Sequence, residues 1–140
     1  MGEQLPDVRN QVTLDPDVKD HVGIPVPRLT LEKYENERAM AKAIPQILRN
    51  ILEAAGAAEI WEAEKGVDGS SHFMGTCRMG KDTKRSVVDP WCRTHDIPNL
   101  FIGDSSVFVT AAAVNPSLTL MALATRTAEG IIAAFKKGEL

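Results

Sequence analysis

The chain has 140 residues, 44% of them hydrophobic and 25% charged, which is the make-up of one globular domain with one core. A net charge of -3 spread without a basic block excludes nucleic acid and an anionic membrane surface as indicated partners. MGEQLPDVRN holds no apolar signal region, no uninterrupted apolar run approaches the roughly 18 residues of a membrane span, and Cys77 and Cys92 are too few for a disulfide framework, so reduced thiols and a cytoplasmic setting are the default expectation.

In chain order, QVTL (Gln11 to Leu14) and RLTLEKY (Arg28 to Tyr34) alternate apolar with polar residues, as half-buried strands do, and predict a hairpin-like pair. Asp15-Pro16, Gly23, Pro25 and Pro27 lie between them and suit a long turn or a sheet edge, since proline removes a ladder donor. From Glu37 to Ala55, Met40, Ile44, Ile47, Leu48, Ile51 and Leu52 recur at three- and four-residue spacing, which predicts a helix ending at Gly56. Pro45 inside that pattern predicts a kink or a start at Pro45 itself. Ala57 to Trp61 reads as the start of a strand.

Gly66 to Asp89 is rich in Gly, Ser and Asp, which favours a loop and puts His72 on a segment able to approach a ligand. Leu100 to Ile102 reads as a short buried strand stopped by Gly103-Asp104. Asn115 reads as an N-cap with Pro116 at the first helical position, and Leu118, Met121, Leu123, Ala124, Ile131 and Ile132 carry an apolar helix nearly to the end.

Three places offer chemistry. Asp104, directly after a buried strand, is where a ribityl or ribose hydroxyl can be held in an open α/β sheet, or equally a turn residue that satisfies nearby N–H groups. The Asn115-Pro116 helix start offers unpaired N–H groups and the positive end of the helix dipole to an anion such as a reduced flavin, or serves only as a cap. His72 is the natural general base, because an imidazole with a pKa near about 6.5 accepts a proton at neutral pH, whereas nothing singles out His21 or His95. A competing arrangement, His72, Cys77, Cys92 and His95 in an H-x4-C and C-x2-H pattern, has the ligand types of structural zinc without the usual short C-x2-C knuckle.

SSHFMGTCRMG, SVVDPWCRTHDIPNLFIGDSSVFVT and NPSLTLMALATRTAEGII, in that order, resemble the C-terminal signature of the glucose-methanol-choline oxidoreductases, nearest to the gluconate and sorbitol dehydrogenase-like branch. NQVTLDP, KD and IPVPRL extend the likeness upstream, so that it covers about Asn10 to Ile132. The resemblance implies catalytic roles for His72 and Asn115, and places Gly103, Asp104, Asn115, Pro116 and Ser117 along bound FAD. It implies an α+β chain belonging to an α/β complete protein: residues 1–98 on the substrate side with antiparallel strands, and 99–140 as the last strand and helix of a Rossmann-like FAD domain. The G-x-G-x-x-G turn that cradles a dinucleotide pyrophosphate does not occur in these 140 residues, so the expected partner is an N-terminal FAD-binding portion, with an alcohol, polyol or sugar as substrate. A non-catalytic remnant or docking module is the alternative.

Overall fold

The computed structural model describes residues 2–62 and 72–140, an α+β arrangement of two antiparallel strands and two helices. The predicted hairpin forms: β1 (Gln11–Lys19) pairs with β2 (Pro25–Thr30), with Gln11 opposite Thr30 and Leu14 opposite Pro27. The register breaks between Leu14 and Lys19, around Asp15-Pro16, and among the described residues each strand has only the other as a neighbour. This is the edge setting in which a strand tolerates proline. β2 stops at Thr30, and the predicted strand residues Leu31 to Tyr34 are irregular. Both strands extend into the stretch between the two alternating runs, leaving a tight turn at Asp20–Ile24. There Asp20 Oδ1 accepts the N–H groups of Val22 and Ile24, and Gly23 takes the left-handed φ of 87°.

The helix α1 (Glu35–Ala54) runs unbroken through Pro45, so the predicted start at Pro45 is not taken; proline removes one N–H bond, and the turns on either side are held by their own. Its first turn is fixed by Glu37, whose Oε2 accepts the N–H of Tyr34 and whose Oε1 accepts that of Leu5, both near 3 Å. Burial of Glu37 opposes its ionisation, but the N–H groups of Leu5, Tyr34 and Glu37 itself and the Asn36 amide outweigh it and hold the carboxyl below its usual range. Gly56, at φ 79°, follows the helix as predicted. The strand expected at Ala57 to Trp61 does not form; those residues are irregular and have no strand beside them among the described residues.

After residue 72 the chain builds its core from turns. Val88, Cys92 and Val107 are fully buried, with Met79, Ile102, Phe108 and Leu123 packed around them. Residues 72–89 are irregular, as the Gly, Ser and Asp content predicted, while the Gly66 to Ser71 part of that expectation lies outside the described residues. Leu100 to Ile102 is not a strand: a single bridge joins Phe101 to Arg93, and Leu100 is exposed. The pairing stops at that one bridge, in which the Leu100 carbonyl accepts the N–H of Thr94 and the Ile102 N–H donates to the Cys92 carbonyl, so no ladder of successive pairs develops.

The second helix, α2 (Ser117–Lys136), begins one residue later than predicted. Pro116 itself, at φ -87° and ψ -4°, is the N-cap and its carbonyl accepts the N–H of Leu120. Asn115 precedes the cap and is exposed, so its amide is not a capping group. Thr127 and Ala134 are buried, and Gly130 lies against Trp91, where a Cβ would come within 3.3 Å of the indole. The Arg126 guanidinium sits 5.7 Å from the Trp91 ring centre and donates to the Pro90 carbonyl. With a mean hydropathy of 1.3 over 18 residues, α2 is also long and apolar enough to cross a membrane by length and composition, although an ordinary core helix passes the same test. Arg126 and Glu129 divide its apolar residues, so the helix holds no uninterrupted apolar run of that length. Only 11% of that stretch is buried, and Leu118, Met121, Ile132 and Phe135 are exposed.

Candidate functional site

The two motif-bearing segments meet through a run of backbone hydrogen bonds. The N–H groups of Gly75, Cys77 and Met79 donate to the carbonyls of Ser105, Ser106 and Val107, at 2.9 to 3.3 Å. Ser105 Oγ donates to the carbonyl of Phe73, 3.0 Å away, and so ties the residue next to His72 to the short 3-10 turn Ser105–Val107. The φ of 86° at Gly75 is a left-handed conformation that favours glycine. Sequence reasoning missed Ser105, whereas the Gly75-Thr76 pair after His72 marks a segment able to bend. The available signal was that HFMG and GDSS each carry a small residue where two backbones must approach.

His72 is half-buried and lines a cleft of about 1570 Å³. Its walls include Phe73 to Thr76, the segment from Phe108 to Ala112, Val114, and residues of the N-terminal stretch and of α1. The structure thus brings His72 and Val114, the neighbour of Asn115, to one cavity. Asn115 itself, Pro116 and Ser117 are not among the lining residues; they stand where the chain leaves the cleft for α2.

Gly103 and Asp104 lie at the other end of the 3-10 turn and also outside the lining. A Cβ on Gly103 would meet open space, so packing does not require glycine there. Asp104 Oδ1 accepts the N–H of Ser106 at 2.8 Å, the turn role that the sequence allowed for it, and its other oxygen is not used by that bond. The Ser106 side chain first, and then the Ser106 N–H, hold the Asp104 carboxyl below its usual range.

The four residues of the zinc arrangement do not converge. No group of three or more His, Cys, Asp or Glu side chains among the described residues is placed to share a metal ion. Cys92 is sealed in the core at 1% exposure, and the His95 ring is 3.0 Å from Ser86 Oγ.

A family model described as GMC oxidoreductase matches residues 6–124. The chain belongs to the GMC oxidoreductase family. It is 43% identical over 133 residues to 2-methyl-1,2-propanediol dehydrogenase of Mycolicibacterium austroafricanum, covering 93% of this chain and 24% of that protein. It is 39% identical over 136 residues to the fructose dehydrogenase large subunit of Gluconobacter japonicus, covering 97% of this chain and 25% of that one. With the gluconate 2-dehydrogenase flavoprotein of Pantoea cypripedii the identity is 31% over 130 residues, 87% of this chain and 21% of the relative. This GMC chain therefore spans about a quarter of the length of the curated relatives it matches. Those relatives are oxidoreductases named for a diol, a sugar and a sugar acid.

Proposed function

We propose that the complete protein is an FAD-dependent oxidoreductase acting on CH–OH groups of alcohols, polyols or sugars, and that this chain is its C-terminal portion. In this reading residues 1–98 belong mostly to the substrate side and residues 99–140 to the FAD domain. The observation that carries the proposal is the hydrogen-bonded union of the His72 and Ser105 segments, which gives one cavity both His72 and the chain leading to Asn115.

The residues present fit one end of the cofactor. Phe73, Met74, Phe108, Val109 and Val114 supply apolar wall to the cleft, as a flat ring system requires, and His72 brings the single titratable ring. The pyrophosphate end has no counterpart here: no glycine-rich turn follows a strand among the described residues, and that contact falls to an N-terminal FAD-binding portion.

Bound FAD supplies the acceptor of the hydride that leaves the substrate carbon. A ring nitrogen of His72 takes the hydroxyl proton, so that one proton and one hydride leave the CH–OH group and a carbonyl remains. The Asn115 carboxamide donates a hydrogen bond to the oxygen as its charge develops. Gly103, Asp104, Pro116 and Ser117 would border the cofactor.

The test is single-turnover flavin reduction in the full-length, FAD-loaded protein with 2-methyl-1,2-propanediol, fructose, gluconate and sorbitol as donors. His72→Ala slows reduction by about 10²- to 10⁴-fold, the usual worth of a positioned general base; an unchanged rate removes His72 from the role. The 140-residue chain purified alone shows no flavin absorbance, and stoichiometric FAD on it contradicts the division of the cofactor site between two portions. The exposed apolar faces of α1 (Ile47, Leu48, Ile51, Leu52) and α2 favour a second reading, a docking module that joins a flavoprotein without catalysing. Full activity of the partner flavoprotein without this chain selects that reading.

A further inference from the structure

The longest-range side-chain hydrogen bonds among the described residues join the N-terminal segment to the loop that precedes α2. Glu3 Oε1 accepts the N–H groups of Ala111 and Ala112, each at 3.1 Å, across more than a hundred residues of sequence. Ala112 has a φ of 55°, a left-handed conformation that an alanine rarely takes. Successive N–H groups around such a residue form a concavity suited to an anion, and the Glu3 carboxylate sits in it. From Val109 to Asn115, Ala111 and Ala112 are the residues whose backbone is hydrogen-bonded to another part of the described structure.

The stretch that carries Glu3 is itself anchored. Leu5 donates its N–H to the buried Glu37 on α1, and Gly2 lies so close to Met40 that a Cβ would fall 2.2 Å from the Met40 sulfur. The segment therefore runs as a strap from a helix to the loop, and both lie along the cleft that His72 lines.

We propose that Glu3 is a positioning residue for this site: by seating its carboxylate on Ala111 and Ala112 it fixes the loop that walls the His72 cleft and delivers Asn115. The inference rests on the oxidoreductase reading of that cleft. A loop held by two hydrogen bonds to one charged oxygen is rigid where a loop exposed to water is not, and rate falls steeply with misplacement of a group that must meet the reacting oxygen. Glu3 itself touches neither substrate nor cofactor.

Amide hydrogen exchange on the full chain tests the contact without flavin. In Glu3→Ala the Ala111 and Ala112 amides exchange about tenfold faster or more, the factor expected for loss of a charge-assisted bond. The Cys77 and Met79 amides stay protected and report that the variant is folded. Glu3→Gln, which keeps an acceptor oxygen at the same reach, retains most of the protection; unchanged exchange in Glu3→Ala overturns the proposal. In the FAD-loaded full-length protein, with the best donor of the four named above, Glu3→Ala lowers the rate of flavin reduction about tenfold at unchanged flavin content. Glu3→Gln returns most of that loss, as a hydrogen-bond role demands. Opened amides with a parental rate reduce Glu3 to a fastening of the strap and overturn positioning. A parent protein reduced by none of the donors overturns the oxidoreductase reading, and the inference with it.

Discussion

The turns at Asp20–Ile24 and Asp89–Arg93 are built by the same hydrogen bonds and do different work. In each, the aspartate N–H donates to the carbonyl four residues on, at 2.9 Å from Asp20 and 2.8 Å from Asp89. In each, the carbonyl of the aspartate accepts from the residue three on, and its Oδ1 accepts from the residues two and four on. Both need a left-handed residue at the same place, and there they diverge: Gly23 has φ 87° with open space where a Cβ would be, whereas Cys92 has φ 62° with its side chain buried in the core. A left-handed non-glycine residue costs roughly 1–2 kcal/mol, and burial of a small apolar side chain offsets it by about the same amount. The first turn only reverses a hairpin at the surface. The second carries core, and Trp91 and Pro90 within it receive Gly130 and Arg126 of α2.

The largest expected effect comes from removing the aspartate on which each turn is built. Asp89→Ala leaves the N–H groups of Trp91 and Arg93 without their acceptor beside a packed helix and destabilises the chain by about 2–3 kcal/mol. Asp20→Ala has less than half that effect, because water replaces the carboxylate at an exposed turn. Urea unfolding followed through tryptophan fluorescence compares the two variants, and equal losses remove the distinction between the turns.

Exchanging the left-handed residues sharpens the contrast. Gly23→Cys acquires the strain with nothing to pack against and costs about 1–2 kcal/mol. Cys92→Gly relieves strain and loses burial together, so its net change stays within about 1 kcal/mol. The same unfolding measurement decides: a neutral Gly23→Cys removes the strain from the account, and a large loss in Cys92→Gly shows that burial far exceeds it.

The same contrast separates what the sequence disclosed from what it did not. Alternation at Gln11 to Leu14 and three-four spacing from Met40 to Leu52 are local patterns, and they found the hairpin and α1. Ala57 to Trp61 and Leu100 to Ile102 have strand-like composition, but a strand is a relation between two backbones, and composition carries no record of the neighbour. The aspartate and glycine of Asp20–Ile24 announce a turn, whereas Cys92 hides one, because its left-handed backbone is sustained by packing from Val88 and Val107. At the site, the order of the motifs made the meeting of the HFMG and GDSS segments legible. The Ser105 hydroxyl on Phe73 and the Glu3 carboxylate on Ala111 and Ala112 were not, since bonds to a distant main chain leave no spacing to read.

The smallest effect belongs to a third aspartate, Asp104, which accepts the N–H two residues on, as Asp20 and Asp89 do, and starts the 3-10 turn beside the His72 segment. Its carboxyl is held below the usual carboxylate range by the Ser106 side chain and then by the Ser106 N–H, so the folded state prefers the ionised form more than the unfolded chain does. That contribution is complete above the unfolded pKa of about 4 and disappears as pH falls through the lower folded value. Exposure of Asp104 keeps it small, and the Ser106 amide is a better reporter than global stability. On acidification the Ser106 amide resonance shifts with a midpoint below that of an ordinary aspartate. In Asp104→Asn, where the acceptor oxygen remains and the proton does not bind, it holds still over the same interval. A midpoint at the ordinary value in the parent chain means that the bond does not persist in solution. The Ser105–Val107 turn, to which Gly75, Cys77 and Met79 are fastened, then depends on the core around Val107 and not on its cap.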